Sequence, residues 1–500
     1  MSQTPRADLK PNTPEYENIP LVKATGFREY DARWVLEKEI NLLGIQALGL
    51  GLGTYIHEIG QTPRVVVGHD FRSYSLSVKQ ALTLGLIQAG CEVLDIGLAL
   101  SPMAYFAQFA LDAPCVAMVT ASHNENGWTG VKMGAKAPLT FGPDEIGRLK
   151  EIVLGGQGVE RDGGKLVRVE NFRDQYIQEV AGKLKLSRPI KVIAACGNGT
   201  AGAFAPDALR AMGAEVVEMD CELDWTFPKY NPNPEDHEML VEMSKAVKAQ
   251  GADVCLGFDG DGDRCGVVDD TGEEIFADKI GLMLARDLSA LHPNATFVVD
   301  VKSTGLYKTD EVLQANGAET VYWKTGHSYI KRKTAELGAL AGFEKSGHFF
   351  FNAPIGRGYD DGIVAAAAIL QMLDRNPGKK LSELRKALPV AHTSLTMSPH
   401  CPDEQKYEVL ERIVAEYEKL GAEGGEILGR KIVEVITVNG ARLHLEDGSW
   451  VLVRASSNKP ELVVVVESLR SEDDMRALFR EEIKPRLARY PEIGAFNQEI

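Results

Sequence analysis

Three stretches of this chain repeat one plan, and that repetition restricts the fold more than any other feature. Arg64-Val65-Val66-Val67-Gly68, Lys191-Val192-Ile193-Ala194-Ala195 and Thr296-Phe297-Val298-Val299-Asp300 are short apolar runs of strand length. Each leads into a helix-like stretch. Each is followed, after a glycine, by a second strand: Gly90-Cys91-Glu92-Val93-Leu94, Gly213-Ala214-Glu215-Val216-Val217 and Gly317-Ala318-Glu319-Thr320-Val321. A third apolar segment then runs into a polar loop: Ala117-Met118-Val119 before Thr120, Val254-Cys255-Leu256 before Asp259, and Leu340-Ala341-Gly342 before Glu344. Strands alternating with helices predict α/β units with mixed, largely parallel sheets. Three such units in a row predict a triplicated domain. Open α/β sheets bind ligands beyond the carboxyl ends of their strands, so the three polar loops are expected to face one central cleft.

After Pro389 the pattern changes. A strand is expected around residues 393–397 and a helix over residues 403–420. Val438-Asn439-Gly440-Ala441 and Glu446-Asp447-Gly448-Ser449 are hairpin turn signals between alternating runs. A last helix starts after Ser471, with that serine as N-cap and acidic residues in its first turn. The expected organisation is a loose tail over 1–24, α/β domains over 25–175, 176–276 and 277–389, and a smaller antiparallel α+β domain over 390–500.

Composition narrows the function. The 500 residues are 44% hydrophobic and 25% charged, enough for several cores. A net charge of −16 argues against nucleic acid or an anionic membrane as the main partner. An anionic substrate would then be held by a few local arginines and lysines. The seven cysteines are scattered, with no CxxC, which predicts a reducing compartment and no structural zinc. The first twenty residues are polar and proline-rich, without a signal-peptide core, and no apolar run approaches the ~20 residues of a membrane span. The expectation is a cytoplasmic protein, a monomer or homodimer.

The strongest chemical signal is Asp259-Gly260-Asp261-Gly262-Asp263-Arg264, placed between two apolar strand-like runs. Three like charges so close raise one another's pKa unless a positive charge sits among them. A hard divalent cation with oxygen ligands answers that need, and the glycines let alternate side chains converge. An EF-hand would need a glutamate at the twelfth position, but Asp270 stands there and no helix-loop-helix pattern surrounds it. Mg²⁺ is favoured, because three carboxylates leave room for waters and a phosphate oxygen.

The other loops carry complementary groups. Thr120-Ala121-Ser122-His123-Asn124-Glu125-Asn126-Gly127, leading to Lys132, sets a serine just past a buried strand. Alone it reads more readily as a turn or helix cap than as a catalytic serine. Beside a Mg²⁺ loop it suits phosphoryl transfer, with a phosphoserine oxygen completing the metal shell. Glu344-Lys345-Ser346-Gly347-His348 offers groups that grip sugar hydroxyls. Arg454-Ala455-Ser456-Ser457-Asn458-Lys459-Pro460 combines a guanidinium, hydroxyls and turn amides into a phosphate cradle.

Together these loops resemble the α-D-phosphohexomutase superfamily, most closely its bacterial phosphomannomutase/phosphoglucomutase branch, over about residues 25–490. Phe27-Arg28-Glu29-Tyr30-Asp31-Ala32-Arg33 resembles the family's substrate-contacting segment, with Arg33 at its basic position, and Gly68-His69-Asp70-Phe71-Arg72 its first strand-end motif. The resemblance implies Ser122 as phosphoserine and metal ligand, Lys132 at the end of its loop, Asp259, Asp261 and Asp263 as metal ligands, and Arg264 beside them. Lys302 and His327 match substrate-side positions. Glu344, Ser346 and His348 match the sugar-recognition loop, and Arg454, Ser456, Ser457 and Asn458 the phosphate clamp. The chain departs from the family at Glu125, where proline is usual, and at Asn458 and Lys459, where threonine and glutamate are usual.

The implied activity interconverts hexose 1-phosphate and hexose 6-phosphate, of mannose or glucose. Phosphorylated Ser122 would give its phosphoryl group to the sugar, and glucose or mannose 1,6-bisphosphate would be the intermediate and activator. Lys132, Arg264 and His348 are the candidates for acid, base or electrostatic roles. Two other readings compete: a metal-dependent sugar-phosphate phosphatase, and a sugar-phosphate-binding protein without turnover.

Overall fold

The computed structural model of the chain describes residue 13 and residues 19–182, 184–456 and 459–500. Most of the expected tail, and Ser457 and Asn458 of the expected clamp, lie outside the described residues.

The repeat seen in the sequence becomes a repeat in strand order. In the first segment the strands are β1 (Ala32–Val35), β2 (Arg64–His69), β3 (Glu92–Leu98), β4 (Cys115–Val119), β5 (Trp128–Gly134) and β6 (Lys165–Arg168), ordered β1-β5-β4-β2-β3-β6. In the second, β7 (Lys191–Ala195), β8 (Glu215–Met219), β9 (Val254–Phe258), β10 (Cys265–Asp269) and β11 (Glu274–Ile275) run β11-β10-β9-β7-β8. In the third, β12 (Thr296–Asp300) pairs in parallel with both β13 (Glu319–Trp323) and β14 (Ala341–Phe343). Each segment thus sets one strand (β2, β7 and β12) between the two that follow it in the chain, all parallel. β4 and β9 are buried at every position. Covered on both faces, they read as continuous apolar runs rather than alternating ones.

In the first two segments β4 and β9 then turn back into antiparallel neighbours, β5 against β4 and β10 against β9. Phe258 opposes Cys265, so the acidic run 259–264 is the connection of a hairpin.

By internal contacts the chain forms two units. One holds Met1–Phe276 and Ser346–Ser382, the other Ala277–Lys345 and Glu383–Ile500. The first unit includes the buried strand β15 (Phe349–Phe351) and the helix Gly362–Arg375, N-capped by Asp361, whose carboxylate accepts from the Ile363 and Val364 amides.

The second unit carries the expected terminal domain as an antiparallel sheet of β16 (His392–Thr393), β17 (Glu426–Ile427), β18 (Arg430–Ile436), β19 (Ala441–Leu445), β20 (Trp450–Ala455) and β21 (Leu462–Ser468), ordered β16-β21-β20-β19-β18-β17. The helix Lys406–Ala422 packs on its apolar face. Ser471 caps the helix Glu472–Ala477 by accepting from the Asp474 amide. The strand expected over 393–397 is interrupted. Thr393 opposes Glu467 and Met397 opposes Val464, four steps against three, which is a bulge. Ser394 sits in it, its amide on the Val466 carbonyl and its Oγ accepting from the Val466 amide.

Candidate active site

In the first unit the geometry around Ser122 starts from Asp70, past the end of β2. Its carboxylate accepts from Thr120 Oγ1, the Ala121 amide, Ser75 Oγ at 2.5 Å and the Arg72 guanidinium. Arg72 in turn donates to the carbonyls of Ser122 (3.1 Å) and Asn124 (2.6 Å). This network, with the Thr120 hydroxyl accepting from the Ser122 amide, holds Ser122 at a φ of +52°. A serine in the left-handed region is strained, and such strain persists only where surroundings over-determine it.

Ser122 Oγ lies 3.0 Å from Asp259 Oδ2. The approach depends on Gly260: a Cβ there would stand 2.4 Å from the Ser122 carbonyl oxygen. Asp259, Asp261 and Asp263 are fully buried, and one carboxylate oxygen from each can be chosen within 4.8 Å of the others. Burial, then the charges of Asp261 and Asp263, push the Asp259 carboxyl well above its usual range. Burial would lower Lys132, but Asp261 and Asp263 more than reverse it and keep the ammonium protonated. Its Nζ donates to Asp261 Oδ2 at 2.7 Å and to Asp263. Asp261 Oδ1 has no hydrogen-bond partner among the described residues. A buried, oxygen-only donor set with an orphaned carboxylate oxygen fits a divalent metal ion.

Arg264 donates to Glu235 at 2.6 Å, and its Nε lies 3.9 Å from Asp259. His348 sits against the same loop: the Cys265 amide donates to the Gly347 carbonyl, and His348 Nε2 is 3.3 Å from Asp263 Oδ1. Its Nδ1 is 3.1 Å from Ser346 Oγ. Arg33 reaches the serine loop, with Nη1 donating to Asn124 Oδ1 at 2.8 Å and to the Ala121 carbonyl. Glu125 is exposed, so its charge is solvated rather than turned into the site.

In the second unit Asp300, at the carboxyl end of β12, organises a second group. It accepts from Ser303 Oγ (2.6 Å), Thr325 Oγ1 (3.1 Å) and the Lys345 amide (3.4 Å), and Lys302 Nζ stands 4.0 Å away. Glu344 accepts from the Gly326 amide at 3.0 Å, next to His327 at the start of its helix. Lys302, His327 and Glu344 thus gather where three parallel strands end. Arg454 closes β20 and donates to the Ala455 carbonyl and Asn439. Ser456 follows, its amide on the Glu461 carbonyl.

Sequence reasoning missed four contributors. Ser101 donates to Asp261 Oδ2 at 2.6 Å, and its amide to the Asp261 carbonyl. Glu235 neutralises Arg264. Asp360 lies 3.9 Å from His348. His123 Nδ1 is 3.3 Å from Ser122 Oγ, and burial followed by Arg264 and Arg33 holds its imidazole well below its usual pKa, hence neutral. The adjacent carboxylates Asp360-Asp361 before a glycine were a readable signal, whereas Ser101 looked like an ordinary helix start.

Four family models match in chain order: phosphoglucomutase/phosphomannomutase α/β/α domain I over residues 24–157, domain II over 174–272, domain III over 276–391, and the C-terminal domain over 400–484. A phosphomannomutase/phosphoglucomutase of Pseudomonas putida is 34% identical over 88% of this chain and 91% of its own length. A phosphoglucomutase of Neisseria meningitidis is 32% identical over 88% and 92%. Among solved structures, a phosphoglucomutase/phosphomannomutase family protein of Burkholderia thailandensis superposes with a TM-score of 0.85 at 29% identity, covering 95% of this chain and 99% of that one.

Proposed function

The chain belongs to the phosphoglucomutase/phosphomannomutase family, and from that premise we propose that it interconverts the 1- and 6-phosphates of glucose or mannose through phosphorylated Ser122. The observation that carries the reading is Ser122 Oγ, held by a strained backbone 3.0 Å from Asp259 in a buried three-aspartate loop.

Asp259, Asp261 and Asp263 would hold the metal ion, with Ser122 as a further oxygen donor. Mg²⁺, when bound, neutralises charge on the phosphoryl group in flight. In the first half reaction the free sugar hydroxyl attacks phosphorus. Its proton passes to a base, the P–Oγ bond breaks, and Ser122 Oγ leaves with the electron pair. The product is the hexose 1,6-bisphosphate. After it turns around, Ser122 Oγ attacks the other phosphorus, and the sugar oxygen leaves and takes the proton back. His348 is the proposed proton carrier: its Nε2 lies 3.3 Å from Asp263 Oδ1, while the Lys132 ammonium donates to Asp261 and Asp263 and arginine does not deprotonate in proteins. Lys132 and Arg264 supply positive charge instead. Arg33, Lys302, His327, Glu344 and Ser346 bind the sugar phosphate. Arg454 and Ser456, with Ser457 and Asn458, anchor the phosphate that is not reacting.

The test combines intact mass with turnover. One phosphate is expected on the wild-type chain and none on Ser122→Ala, which also loses nearly all mutase activity while keeping its circular dichroism. A chelator abolishes activity and Mg²⁺ restores it. Unchanged turnover in Ser122→Ala overturns the phosphoserine mechanism, and release of inorganic phosphate in place of the isomer overturns the mutase reading.

A further inference from the structure

One face of the terminal sheet is apolar and lies under the helix Lys406–Ala422. The other face is polar and yet buried, apart from the half-buried Thr393. Arg442, His444, Trp450, Glu467 and Thr393 share it: Trp450 opposes both His444 and Glu467, Glu467 opposes Thr393, and Arg442 lies two positions from His444. Arg442 is fully buried, between the rings of Tyr322 (4.1 Å from the guanidinium carbon to the centroid) and Trp450 (3.8 Å). Its Nε donates to His444 Nε2 at 2.8 Å. Burying an arginine carries a large desolvation cost, and here the partners it gains are informative. Arg442 Nη1 donates to two backbone carbonyls, those of Val301 and Ser303, the second at 2.8 Å. These flank Lys302.

The next links in the same loop are held by the same surroundings. Tyr322 donates its hydroxyl to the Thr304 carbonyl at 2.6 Å, and Glu467 Oε1 accepts from Thr304 Oγ1 (2.9 Å) and the Gly305 amide (2.7 Å). We propose that Arg442 is a positioning residue for the substrate-binding lysine: by pinning the Val301 carbonyl, in the peptide plane that enters Lys302, and the Ser303 carbonyl one residue beyond it, it fixes the backbone that aims the Lys302 side chain. Stacking between two rings fixes the guanidinium plane, so one nitrogen meets both carbonyls; a lysine ammonium has no such plane. The inference rests on the assignment of Lys302 to substrate binding made above.

The experiment is a double-mutant cycle on kcat/KM for glucose 1-phosphate, with Arg442→Met, Lys302→Ala and the pair. Arg442→Met alone is expected to lower kcat/KM by about 10- to 100-fold, mostly through KM, as misplacement of a binding group does. In the Lys302→Ala background the same change should cost less than about threefold, because the group it positions is gone. An equal loss in both backgrounds makes Arg442 merely structural and overturns the inference. If Lys302→Ala leaves kcat/KM unchanged, the assignment of Lys302 has failed and the inference goes with it, a result distinct from the first. Should Arg442→Met lack a cooperative melt, Arg442→Lys decides by the same cycle, since it keeps the charge and loses the planar guanidinium that meets both carbonyls.

Discussion

At Ser122 the proposed phosphoryl carrier coincides with backbone strain, at a φ of +52°. Its positive φ costs an L-residue roughly 1–2 kcal/mol, which glycine does not incur in the fold, although glycine loses about 0.5–1 kcal/mol more through chain entropy. Ser122→Gly is therefore expected to be more stable than Ser122→Ala by roughly 0.5–1 kcal/mol in urea titration, with both inactive. Equal stabilities would mean that the backbone relaxes out of the left-handed region once the hydroxyl is lost. Gly260 is the matching constraint on the other loop. Gly260→Ala drives a Cβ against the Ser122 carbonyl, at 2.4 Å, and should lower kcat about 10²-fold while the chain stays folded, since one ångström of misplacement suffices. The serine was readable from its motif. Its conformation was not, because Asp70 and Arg72, fifty residues upstream, impose it.

At the scale of elements, β9, β10 and the turn between them were legible because a buried apolar run, an acidic glycine-rich loop and a second run leave little alternative. The bulge at Ser394 was not legible, since it depends on which residues of β21 meet the strand. Nor was the buried polar face, because Arg442 alternates with apolar neighbours and Glu467 ends a continuous apolar run, and both read equally well as solvent-facing. Glu467 gives that face a pH signature. Burial raises its carboxyl, but Lys279 and hydrogen bonds from Thr393, Gly305 and Trp450 outweigh burial and bring it from 4.5 to about 2. The folded value lies below the unfolded one, so Glu467 contributes stability above about pH 4.5 that is lost as pH falls towards 2. A shift of that size corresponds to about 3 kcal/mol. The stability gap between wild type and Glu467→Gln, from urea titrations at successive pH values, should shrink between pH 5 and 2. A gap that stays constant would show that Glu467 is not the group titrating.

For the whole molecule, the threefold repeat in strand order was legible, while the division of internal contacts between Lys345 and Ser346 was not, because it is set by where the segment 346–382 packs and not by its pattern. The chemistry of a mutase makes a demand at this scale that no single loop meets. One serine must serve both ends of the sugar, so the phosphate that is not reacting needs an anchor that accepts it from either carbon. Arg454 and Ser456 suit that role because a guanidinium and small turn donors recognise phosphate without reading the sugar. Arg454 is half-buried at the end of β20, bonded to the Ala455 carbonyl, which restricts its side chain before any ligand arrives. Arg454→Ala should then weaken glucose 1-phosphate and glucose 6-phosphate alike, by roughly 1.5–3 kcal/mol each as for a charged hydrogen bond. It should also let the bisphosphate escape more often, so that added glucose 1,6-bisphosphate partly restores turnover. Calorimetric titration of both monophosphates decides it: a loss confined to one of them would mean that Arg454 reads one end of the sugar, and the two-ended anchor would have to be sought elsewhere.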